Sequence, residues 1–527
     1  MAGTHTVIKP GGGTGSARDG AGLQKLGSSY RDRGYATASG TISDVLQLPS
    51  ITMISNIHPL HDPSLMRTAC YVNGDWVAAG SRKTFNVENP STLASVAQCP
   101  DFDVEDTEAA IEAAHQAFAS YRKTPARTRA RWLRRWYELM IENTEDLARI
   151  ITLENGKPLA DATAEVHYAA SFFEWFSEEA PRIYGETIQA SNPSCRIVTL
   201  KEPIGVCGLI APWNFPGAMI TRKVGPALAA GCTVVVKAPA EAPLTALALA
   251  ELAHRAGIPK GVVNIITASA HNTIAVGKTL TTHPIIKKVS FTGSTGVGKI
   301  LMSQSSTTLK KLSLELGGNA PFIVFEDADL DVAARGLIAS KFRISGQTCV
   351  LDIVRTFKVG DGLSETTTHG PLIHQRAAQK VDEHVKDAVS KGARVLHGGE
   401  PLKHLGPNFF GITLLADMAP GMKICTEETF GPIAAFFAFD TEADAIEMAN
   451  DTEVGLAGYF FSQDASRCWR VAEALEVGMV GVNVGSISDP AAPFGGVKQS
   501  GFGREGSKYG IDEYLVTKMV MTGVSES

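Results

Sequence analysis

Residues 288–299 read KVSFTGSTGVGK, and this stretch decides the fold class. Its first five residues have the composition of a buried strand, and a helical pattern follows the glycines. Glycines at a turn from strand to helix let a phosphate group approach the backbone, and the amino end of the helix favours the negative charge. The stretch therefore predicts a turn that can bind a phosphate, with a purely structural glycine turn as the alternative.

Two known nucleotide-binding patterns fit this turn incompletely. Gly293 to Lys299 has the Gly-x-x-x-x-Gly-Lys spacing of a P-loop, but Ile300 stands where that motif needs Ser or Thr to hold magnesium. The pattern Gly-x-Gly-x-x-Gly of dinucleotide-binding folds is absent. The turn alone therefore does not identify its nucleotide.

Short apolar segments on the amino-terminal side of the turn alternate with helical patterns. These segments span residues 206–210, 233–237, 262–267 and 288–292. Such alternation is typical of βαβ units around a parallel sheet, so we predict an α/β fold. Asp106 is the predicted N-cap of an alanine-rich helix over 107–120, and a second α/β region follows Glu315.

Composition narrows the function classes. The chain has 527 residues, of which 44% are apolar and 20% charged, and its net charge is −6. These values are ordinary for a soluble globular protein and indicate neither a nucleic-acid partner nor a membrane span. Five arginines within residues 127–135 interleave with Trp132 and Trp136. We interpret the arginines as the solvent-exposed face of a helix whose apolar stripe is buried.

Three side chains could carry covalent chemistry. Cys349 supplies a thiol on a predicted loop, Glu315 a carboxylate and Asn214 a carboxamide. Most single cysteines are small buried hydrophobic residues, but a thiolate with a lowered pKa is a strong nucleophile. No histidine lies at a protease signature spacing, and neither His-Glu-x-x-His nor Cys-x-x-Cys occurs, so we predict no metal site.

Six motifs together resemble the aldehyde dehydrogenase superfamily. They are PWNFP (212–216), FTGST (291–295), LELGG (314–318), GQTC (346–349), EETFGP (427–432) and PFGGVKQSG (493–501). They occur in the family's order, and the resemblance covers about residues 68–525. It implies a Rossmann-type cofactor domain over 66–182 and 204–314, and an α/β catalytic domain over 315–504.

The resemblance also implies a reaction. Cys349 attacks an aldehyde carbon, and the Asn214 side chain and the Cys349 backbone N–H hold the oxyanion. Hydride transfer to a nicotinamide gives a thioester, and Glu315 activates the water that hydrolyses it. The likeness is greatest to the semialdehyde enzymes, so the expected reaction is oxidation of succinate semialdehyde to succinate, as in 4-aminobutyrate catabolism. The alternatives are glutarate semialdehyde, another aldehyde, or a catalytically impaired structural protein.

By the same resemblance the cofactor is NAD or NADP. Lys237 and Glu428 contact its riboses, Ser294 meets the pyrophosphate, and Trp213 lines the cleft. The remaining expected contacts are Ala240, Gly293, Gly298 and Phe430. Many NAD-preferring relatives have a glutamate where this chain has Ala240, with Glu241 one place later. The missing negative charge favours NADP or dual use.

Three residues resemble a clamp for the substrate's far carboxylate. They are Arg222, Arg343 and Ser488. Two guanidinium groups and a hydroxyl can bind a carboxylate while the aldehyde lies at the thiol. The alternative is that the two arginines are helix-face or salt-bridge residues.

The two ends of the chain carry separate expectations. Residues 1–65 are rich in Gly, Ser and Thr and predict a disordered leader, and RGYATAS (33–39) looks like the end of a mitochondrial presequence. The expected location is the mitochondrial matrix or the cytoplasm. A hairpin over 183–203 and the tail over 505–527 are expected to bridge subunits of a homodimer or homotetramer.

The chain departs from the family directly after Cys349. VLDIVRT (350–356) follows, and the family's Val-Gly-Asp turn comes at once as VGDG (359–362). About twenty residues are absent, enough for a strand and a short helix. We predict a makeshift strand over 353–359, and we interpret the shortening either as a faulty gene model or as a real variant with impaired folding or activity.

Overall fold

The computed structural model describes residues 60–342 and 350–525. Cys349 and Arg343, predicted as the nucleophile and as part of the clamp, lie outside these residues. Within them, no helix is both long and apolar enough to cross a membrane.

The described chain begins with a short folded segment and four strands. Residues Pro63–Leu65 form a 3₁₀ turn, and the strands are β1 (Cys70–Val72), β2 (Asp75–Val77), β3 (Thr84–Glu88) and β4 (Ser95–Pro100). Leu65 is fully buried, and the carboxylate of Asp146 accepts hydrogen bonds from the backbone N–H groups of His61 and Asp62. Residues 60–65 are therefore folded, so the predicted leader boundary at residue 65 is too late.

Four helices follow: α1 (Val104–Tyr121), α2 (Ala126–Glu142), α3 (Thr144–Asn155) and α4 (Leu159–Glu179). Asp103 caps α1, and Asp106 is the third residue of its capping box, so the predicted N-cap was three residues late. In α2, Leu133, Trp136 and Met140 are buried, as expected of the apolar stripe. Arg129 is an exception on the predicted solvent-exposed face, because it is buried and its Nε donates to the backbone oxygen of Ala229.

The next elements build a parallel sheet and its covering helices. After β5 (Thr187–Ile188) and β6 (Cys195–Pro203) come β7 (Val206–Ile210), α5 (Ala218–Ala230), β8 (Thr233–Lys237), α6 (Leu244–Arg255), β9 (Val263–Ile266), α7 (Thr273–Thr282), β10 (Ile286–Thr292), α8 (Thr295–Ser305) and β11 (Lys311–Glu315). Every residue of β7 and β8 is buried. Helices on both faces explain these continuous apolar strands.

The remaining elements form the region beyond Glu315. They are β12 (Phe322–Val324), α9 (Leu330–Leu337), a π-helical turn (Ile338–Phe342), α10 (Val350–Arg355), α11 (Gln375–Ser390), β13 (Arg394–His397), β14 (Thr413–Ala416), α12 (Lys423–Thr426), β15 (Ile433–Ala435), α13 (Glu442–Asn450), β16 (Val454–Gly455), β17 (Ala457–Phe461), α14 (Ala465–Ala474), β18 (Met479–Val482), β19 (Val497–Lys498), β20 (Gly501–Phe502), α15 (Ser507–Asp512) and β21 (Leu515–Gly523).

The principal sheet has eight strands in the order β2-β1-β9-β8-β7-β10-β11-β20. Its five central strands are parallel, and β1 and β20 join its two sides in antiparallel fashion. Its two faces are packed by different core clusters, since Val234 and Val236 belong to one cluster and Val235 to the other. The predicted α/β class is confirmed.

Smaller sheets lie outside this one. Two three-stranded sheets, β12-β17-β18 and β13-β14-β15, belong to the region beyond Glu315. A third, β21-β6-β5, pairs the predicted hairpin with the carboxyl-terminal strand, from Leu515 opposite Pro203 to Gly523 opposite Cys195.

The segment after Cys349 differs from the sequence prediction. Residues Val350–Arg355 form helix α10 rather than the first part of a strand over 353–359. Ile353 and Val354 are adjacent yet both buried, in a cluster with Ile338 and Leu414. A helix satisfies its backbone hydrogen bonds internally, whereas a strand needs a partner. The makeshift strand is therefore wrong.

Candidate active site

Predicted site residues meet at the carboxyl-terminal edge of the parallel strands. Strand order reverses between β7 and β10: β8 and β9 extend to one side of β7, and β10 and β11 to the other. Ligands of open α/β sheets bind in the crevice at such a switch point. The loop after β7 carries Asn214, and the turn after β10 carries Gly293, so both residues flank this crevice.

The glycine turn has free donors for an anion. Ser294 is the N-cap residue of α8, and its own side chain makes no capping hydrogen bond. The first N–H groups of a helix lack intrahelical partners and favour a negative charge. A Cβ on Gly293 would lie 2.3 Å from the ring of Phe291, so a larger residue does not fit there. Gly298 is buried in the first turn of α8, and the whole arrangement fits a pyrophosphate.

Asn214 presents an amide donor. Its Oδ1 accepts a hydrogen bond of 3.0 Å from the backbone N–H of Phe215. Because one end of the carboxamide is thus used as an acceptor, Nδ2 is left as the donor end. An amide donor of this kind can stabilise a developing oxyanion.

Glu315 is a buried carboxylate at the end of β11. It is opposite Thr292 on β10, and its side chain is 3% exposed. Among the described residues, neither of its carboxylate oxygens has a hydrogen-bond partner. Burial raises its pKa well above the ordinary value, and the negative charge of Glu505 raises it further. A carboxylate whose pKa lies closer to neutrality can act as a general base.

A charge cluster beside Glu315 was not predicted from the sequence. The ammonium of Lys223 donates to Glu505, to Thr292 at 2.7 Å and to Ser290 at 3.2 Å. Burial lowers the pKa of Lys223 despite Glu505, and the pKa of Glu505 is lowered by Lys223 and Arg222 although burial opposes this. Lys223 and Glu505 are 282 positions apart, so no local pattern could show that they meet.

Arg222 lies in the same cluster and is 1% exposed. Its Nε is 2.6 Å from Oε2 of Glu505 without hydrogen-bond alignment, and its guanidinium covers the ring of Phe494 at 4.1 Å. Its Nη2 has no hydrogen-bond partner among the described residues. The ion pair with Glu505 agrees with the alternative interpretation of Arg222 as a salt-bridge residue. Its Nη2, which has no described partner, is a buried donor that remains for a ligand. Ser488 is half-buried on the loop that leads to Phe494.

Lys237 ends β8 and is 5% exposed. Burial lowers its pKa to about 8, and Glu241 partly opposes this. The described residues place no carboxylate within ion-pair distance of its amine. Ala240 lies three residues on and is half-buried. The lysine is therefore a buried donor with no protein anion, which suits the ribose of a dinucleotide.

Glu428 lies against Gly317, and Phe430 and Trp213 line a cavity together. A Cβ on Gly317 would lie 2.7 Å from Oε2 of Glu428, so a side chain at this position would displace the carboxylate. Burial raises the pKa of Glu428. The rings of Trp213 and Phe430 meet edge to face, 5.4 Å apart, on a cavity of about 250 Å³. A ring pair of this kind can flank a planar heterocycle.

The segment that carries Glu428 is held by helix α11. Lys380 donates to the backbone oxygen of Glu428 at 2.7 Å, and the Nδ1 of His384 lies 3.0 Å from Oγ1 of Thr429. Burial lowers the pKa of His384. Neither residue was predicted from the sequence, because both act through a neighbouring segment rather than through a motif.

Fold and site together define the class of the protein. The sequence model of the aldehyde dehydrogenase family matches residues 76–352 and 350–520. The chain belongs to this family, whose members oxidise small-molecule aldehydes.

Individual relatives are similar over most of the chain. A Schizosaccharomyces pombe protein named succinate-semialdehyde dehydrogenase [NADP(+)] 1 is 58% identical over 85% of this chain and 93% of the relative. A Pseudomonas putida glutarate-semialdehyde dehydrogenase is 53% identical over 88% of this chain and 100% of the relative. A crystal structure of succinate-semialdehyde dehydrogenase from Burkholderia pseudomallei has a TM-score of 0.85 and 52% identity, covering 88% of this chain and 100% of that chain.

The bounds and lengths of these alignments bear on the shortening, which stays a prediction. The two matched family segments meet at residues 350–352, directly after Cys349. The alignment with the S. pombe protein spans 467 positions, whereas 85% of 527 residues is about 448, so about 19 positions face no residue of this chain.

Proposed function

We propose that the chain oxidises succinate semialdehyde to succinate with NADP or NAD. The observation that carries the proposal is Glu315, a buried carboxylate without a described partner at the end of β11, the strand next to the switch-point strand β10. Relatives named succinate-semialdehyde dehydrogenase, 50–58% identical to this chain, support the substrate.

The residues of the crevice take separate roles. Cys349 attacks the aldehyde carbon, and its thiol proton leaves as the carbon–sulfur bond forms. The Nδ2 of Asn214 donates to the resulting oxyanion. NAD(P), when bound, supplies the hydride acceptor. After oxidation to the thioester, Glu315 removes a proton from the attacking water, and the thiolate of Cys349 leaves as succinate forms.

Lys223 keeps Glu315 usable as a base. Burial and Glu505 favour the neutral form of Glu315, whereas Lys223, Arg222 and Arg504 favour its carboxylate. Opposite charges at short range lower a carboxyl pKa, so the buried cations limit the rise in its pKa. We therefore assign Lys223 and Glu505 to the tuning of Glu315.

Arg222 is the charged residue of the proposed carboxylate clamp that the structure describes. Its Nη2 is buried and has no described partner, so a substrate carboxylate would satisfy it. A charge-assisted hydrogen bond of this kind is shorter and stronger than a neutral one. Ser488 and Arg343 complete the clamp in this proposal, while Glu505 remains on the Nε side of the guanidinium.

The cofactor proposal is use of NADP, or of both nucleotides. Lys237, Glu428 and Ser294 hold its riboses and pyrophosphate, with Trp213, Ala240, Gly293, Gly298 and Phe430 around them. Ala240 brings no negative charge against a 2′-phosphate. The S. pombe and Escherichia coli relatives are named for NADP(+), and a Staphylococcus aureus betaine aldehyde dehydrogenase of 34% identity was solved with NAD+. Initial rates with each nucleotide test this, and strict NAD use would contradict it.

Glutarate semialdehyde is the second candidate substrate. Relatives from two Pseudomonas species, 52–53% identical, are named for it. One additional methylene changes transition-state binding by about 1–3 kcal/mol in a fitted pocket. Measuring kcat/KM for both semialdehydes on the purified chain decides between them. A larger kcat/KM for glutarate semialdehyde would make it the substrate. If the chain turned over no aldehyde at all, the remaining alternative would be a catalytically impaired structural protein.

We also propose a homo-oligomer built through the β21-β6-β5 sheet. This sheet exposes large apolar side chains, and they are Ile188, Val198, Leu200, Val516, Met519, Val520 and Met521. Exposed apolar side chains gathered on one sheet are typical of protein–protein interfaces. Sedimentation of the wild type and of Met519→Asp tests the proposal, which predicts a homodimer or homotetramer that dissociates in the variant. A wild-type monomer would contradict it.

For localisation we propose the mitochondrial matrix. The leader sequence supports it, as does a human relative, 50% identical over 95% of this chain, that is named mitochondrial. Fractionation of cells that express the full chain, followed by sequencing of the mature amino terminus, tests this. Recovery in the cytosol with an intact terminus would contradict it.

A further inference from the structure

The loop that carries Asn214 is held by three side chains from the junction of α3 and α4. Asn155 Nδ2 donates to the carbonyl oxygen of Trp213, and Lys157 Nζ donates to that of Asn214, both at 2.8 Å. The Oε1 of Glu165 accepts from the backbone N–H of Gly217 at 2.9 Å. Backbone groups on both sides of the Asn214 side chain are thus bound by charged or amide groups.

The two charged anchors also bind each other. Lys157 Nζ is 2.5 Å from Oε2 of Glu165, and Glu165 is 1% exposed. The ammonium also lies 4.3 Å from the centre of the Phe215 ring. The pair therefore closes a ring of contacts from the Asn214 carbonyl through Lys157 and Glu165 to Gly217. A buried pair in such a ring loses its geometry when either partner is removed.

We propose that Asn155, Lys157 and Glu165 are positioning residues that aim the Asn214 amide at the oxyanion. This inference rests on the proposed function, in which Asn214 Nδ2 is the donor. Oxyanion stabilisation depends on the position of the donor, and a misplacement of about 1 Å can cost about 100-fold in rate. Movement of the Asn214 carbonyl moves the amide on the same residue.

A purely structural role is the competing explanation, and the chain offers a matched control. Glu154, on α3, is a second buried carboxylate. It accepts hydrogen bonds from the backbone N–H groups of Leu244 and Thr245 at the start of α6. Glu165 does the same at the start of α5, but unlike Glu154 it also binds Lys157, which donates to the carbonyl oxygen of Asn214. Glu154→Gln should lower the melting temperature and leave kcat unchanged.

The test compares Lys157→Met, Lys157→Arg, Glu165→Gln and Glu154→Gln in the full chain. We expect Lys157→Met and Glu165→Gln to lower kcat by about 30- to 100-fold with KM for the aldehyde within about threefold. Lys157→Arg should recover part of kcat. A loss of kcat in Lys157→Met no larger than in Glu154→Gln would overturn the proposal.

A second measurement does not depend on turnover. Hydrogen–deuterium exchange of a peptide covering residues 213–218 should speed up in Lys157→Met and Glu165→Gln and stay at the wild-type rate in Glu154→Gln. If the wild type oxidises no aldehyde but this pattern holds, the proposed function fails and the anchoring of the loop stands. Unchanged exchange in Lys157→Met would overturn the anchoring itself.

Discussion

The predicted cofactor domain (66–182 and 204–314), called the cofactor half below, differs from the region beyond Glu315 in its sheets. The strands of the first form mainly one large sheet, whereas those of the second form several small ones. The cofactor half has one eight-stranded sheet, whose strands β7 and β8 are buried along their whole length. Beyond Glu315, β12-β17-β18 and β13-β14-β15 are separate sheets, and a six-residue helix follows the shortened point. We therefore expect the predicted shortening to weaken the catalytic side more than the eight-stranded sheet, which, apart from β20, lies on the other side of Glu315 in the sequence.

The largest expected effect comes from restoring the segment. Inserting the corresponding residues of the S. pombe relative between Cys349 and Gly360 should add a strand that buries about three large side chains, each worth about 2 kcal/mol. Thermal unfolding should then shift upward by about 10 °C or more. A same-length Gly/Ser insertion is the control. An equal melting temperature in all three chains would show that the catalytic side is not weakened by the shortening.

Peptide mass spectrometry tests whether the natural protein has the shortened segment after Cys349. Trypsin cleaves after Arg343 and Arg355, so the chain as written yields ISGQTCVLDIVR (344–355). Detection of this peptide in the native source supports a real variant. Its replacement by a longer peptide from the family's segment supports a faulty gene model.

The second largest expected effect is the loss of kcat on removing the proposed general base, Glu315. Glu315→Gln should lower kcat by about 10²–10⁴-fold, because the amide cannot accept the proton of the attacking water. Binding of NADP, followed by fluorescence titration, should change by less than about twofold, since Glu315 is not among the predicted cofactor contacts. Steady-state rates measure the first quantity, with Glu154→Gln as the control for loss of a buried carboxylate. Full activity in Glu315→Gln would exclude the assigned role.

Arg222→Met tests the clamp. We expect KM for succinate semialdehyde to rise about 30-fold, equivalent to about 2 kcal/mol for a lost charge-assisted contact. KM for a four-carbon aldehyde without a carboxylate should stay constant, which makes that substrate the internal control. Glu505 keeps Lys223 as its partner in this variant. Equal rises with both aldehydes would favour the salt-bridge alternative for Arg222.

The smallest effect is on pH dependence. Because burial and Glu505 raise the pKa of Glu315, and the base acts when deprotonated, kcat should rise with pH through a limb above the ordinary glutamate range. Lys223 favours the carboxylate, so Lys223→Met should move this limb to higher pH. A limb that stays in place, or moves to lower pH, would contradict the assigned tuning. The pH profile of kcat provides the measurement.

Local sequence patterns predicted the central sheet closely. The predicted strands 206–210 and 233–237 match β7 and β8, and 288–292 falls within β10. Their buried, β-branched composition and the glycine turn leave few alternatives. The helix over 350–355 was missed because its apolar residues were interpreted as part of a strand, although no partner strand had been identified. In the structure these residues pack against Ile338 and Leu414 as a helix.

The candidate site divides in the same way. Glu315, Asn214 and the glycine turn were predictable because each lies in a short motif beside a strand end. Lys223, Glu505 and the anchors of the Asn214 loop were not, since their partners lie between 52 and 282 positions away. Charge clusters assembled by the fold leave no local spacing to detect.

Trapping the thioester tests the central claim most directly. Glu315→Gln, incubated with succinate semialdehyde and NADP, should accumulate the thioester because its hydrolysis is slowed. Intact-mass analysis should show one added succinyl group, and peptide mapping should place it on Cys349. The double variant with Cys349→Ala should gain no mass. The absence of any adduct on Glu315→Gln, or an adduct on another residue, would contradict the assignment of this chain as an aldehyde-oxidising thiol enzyme.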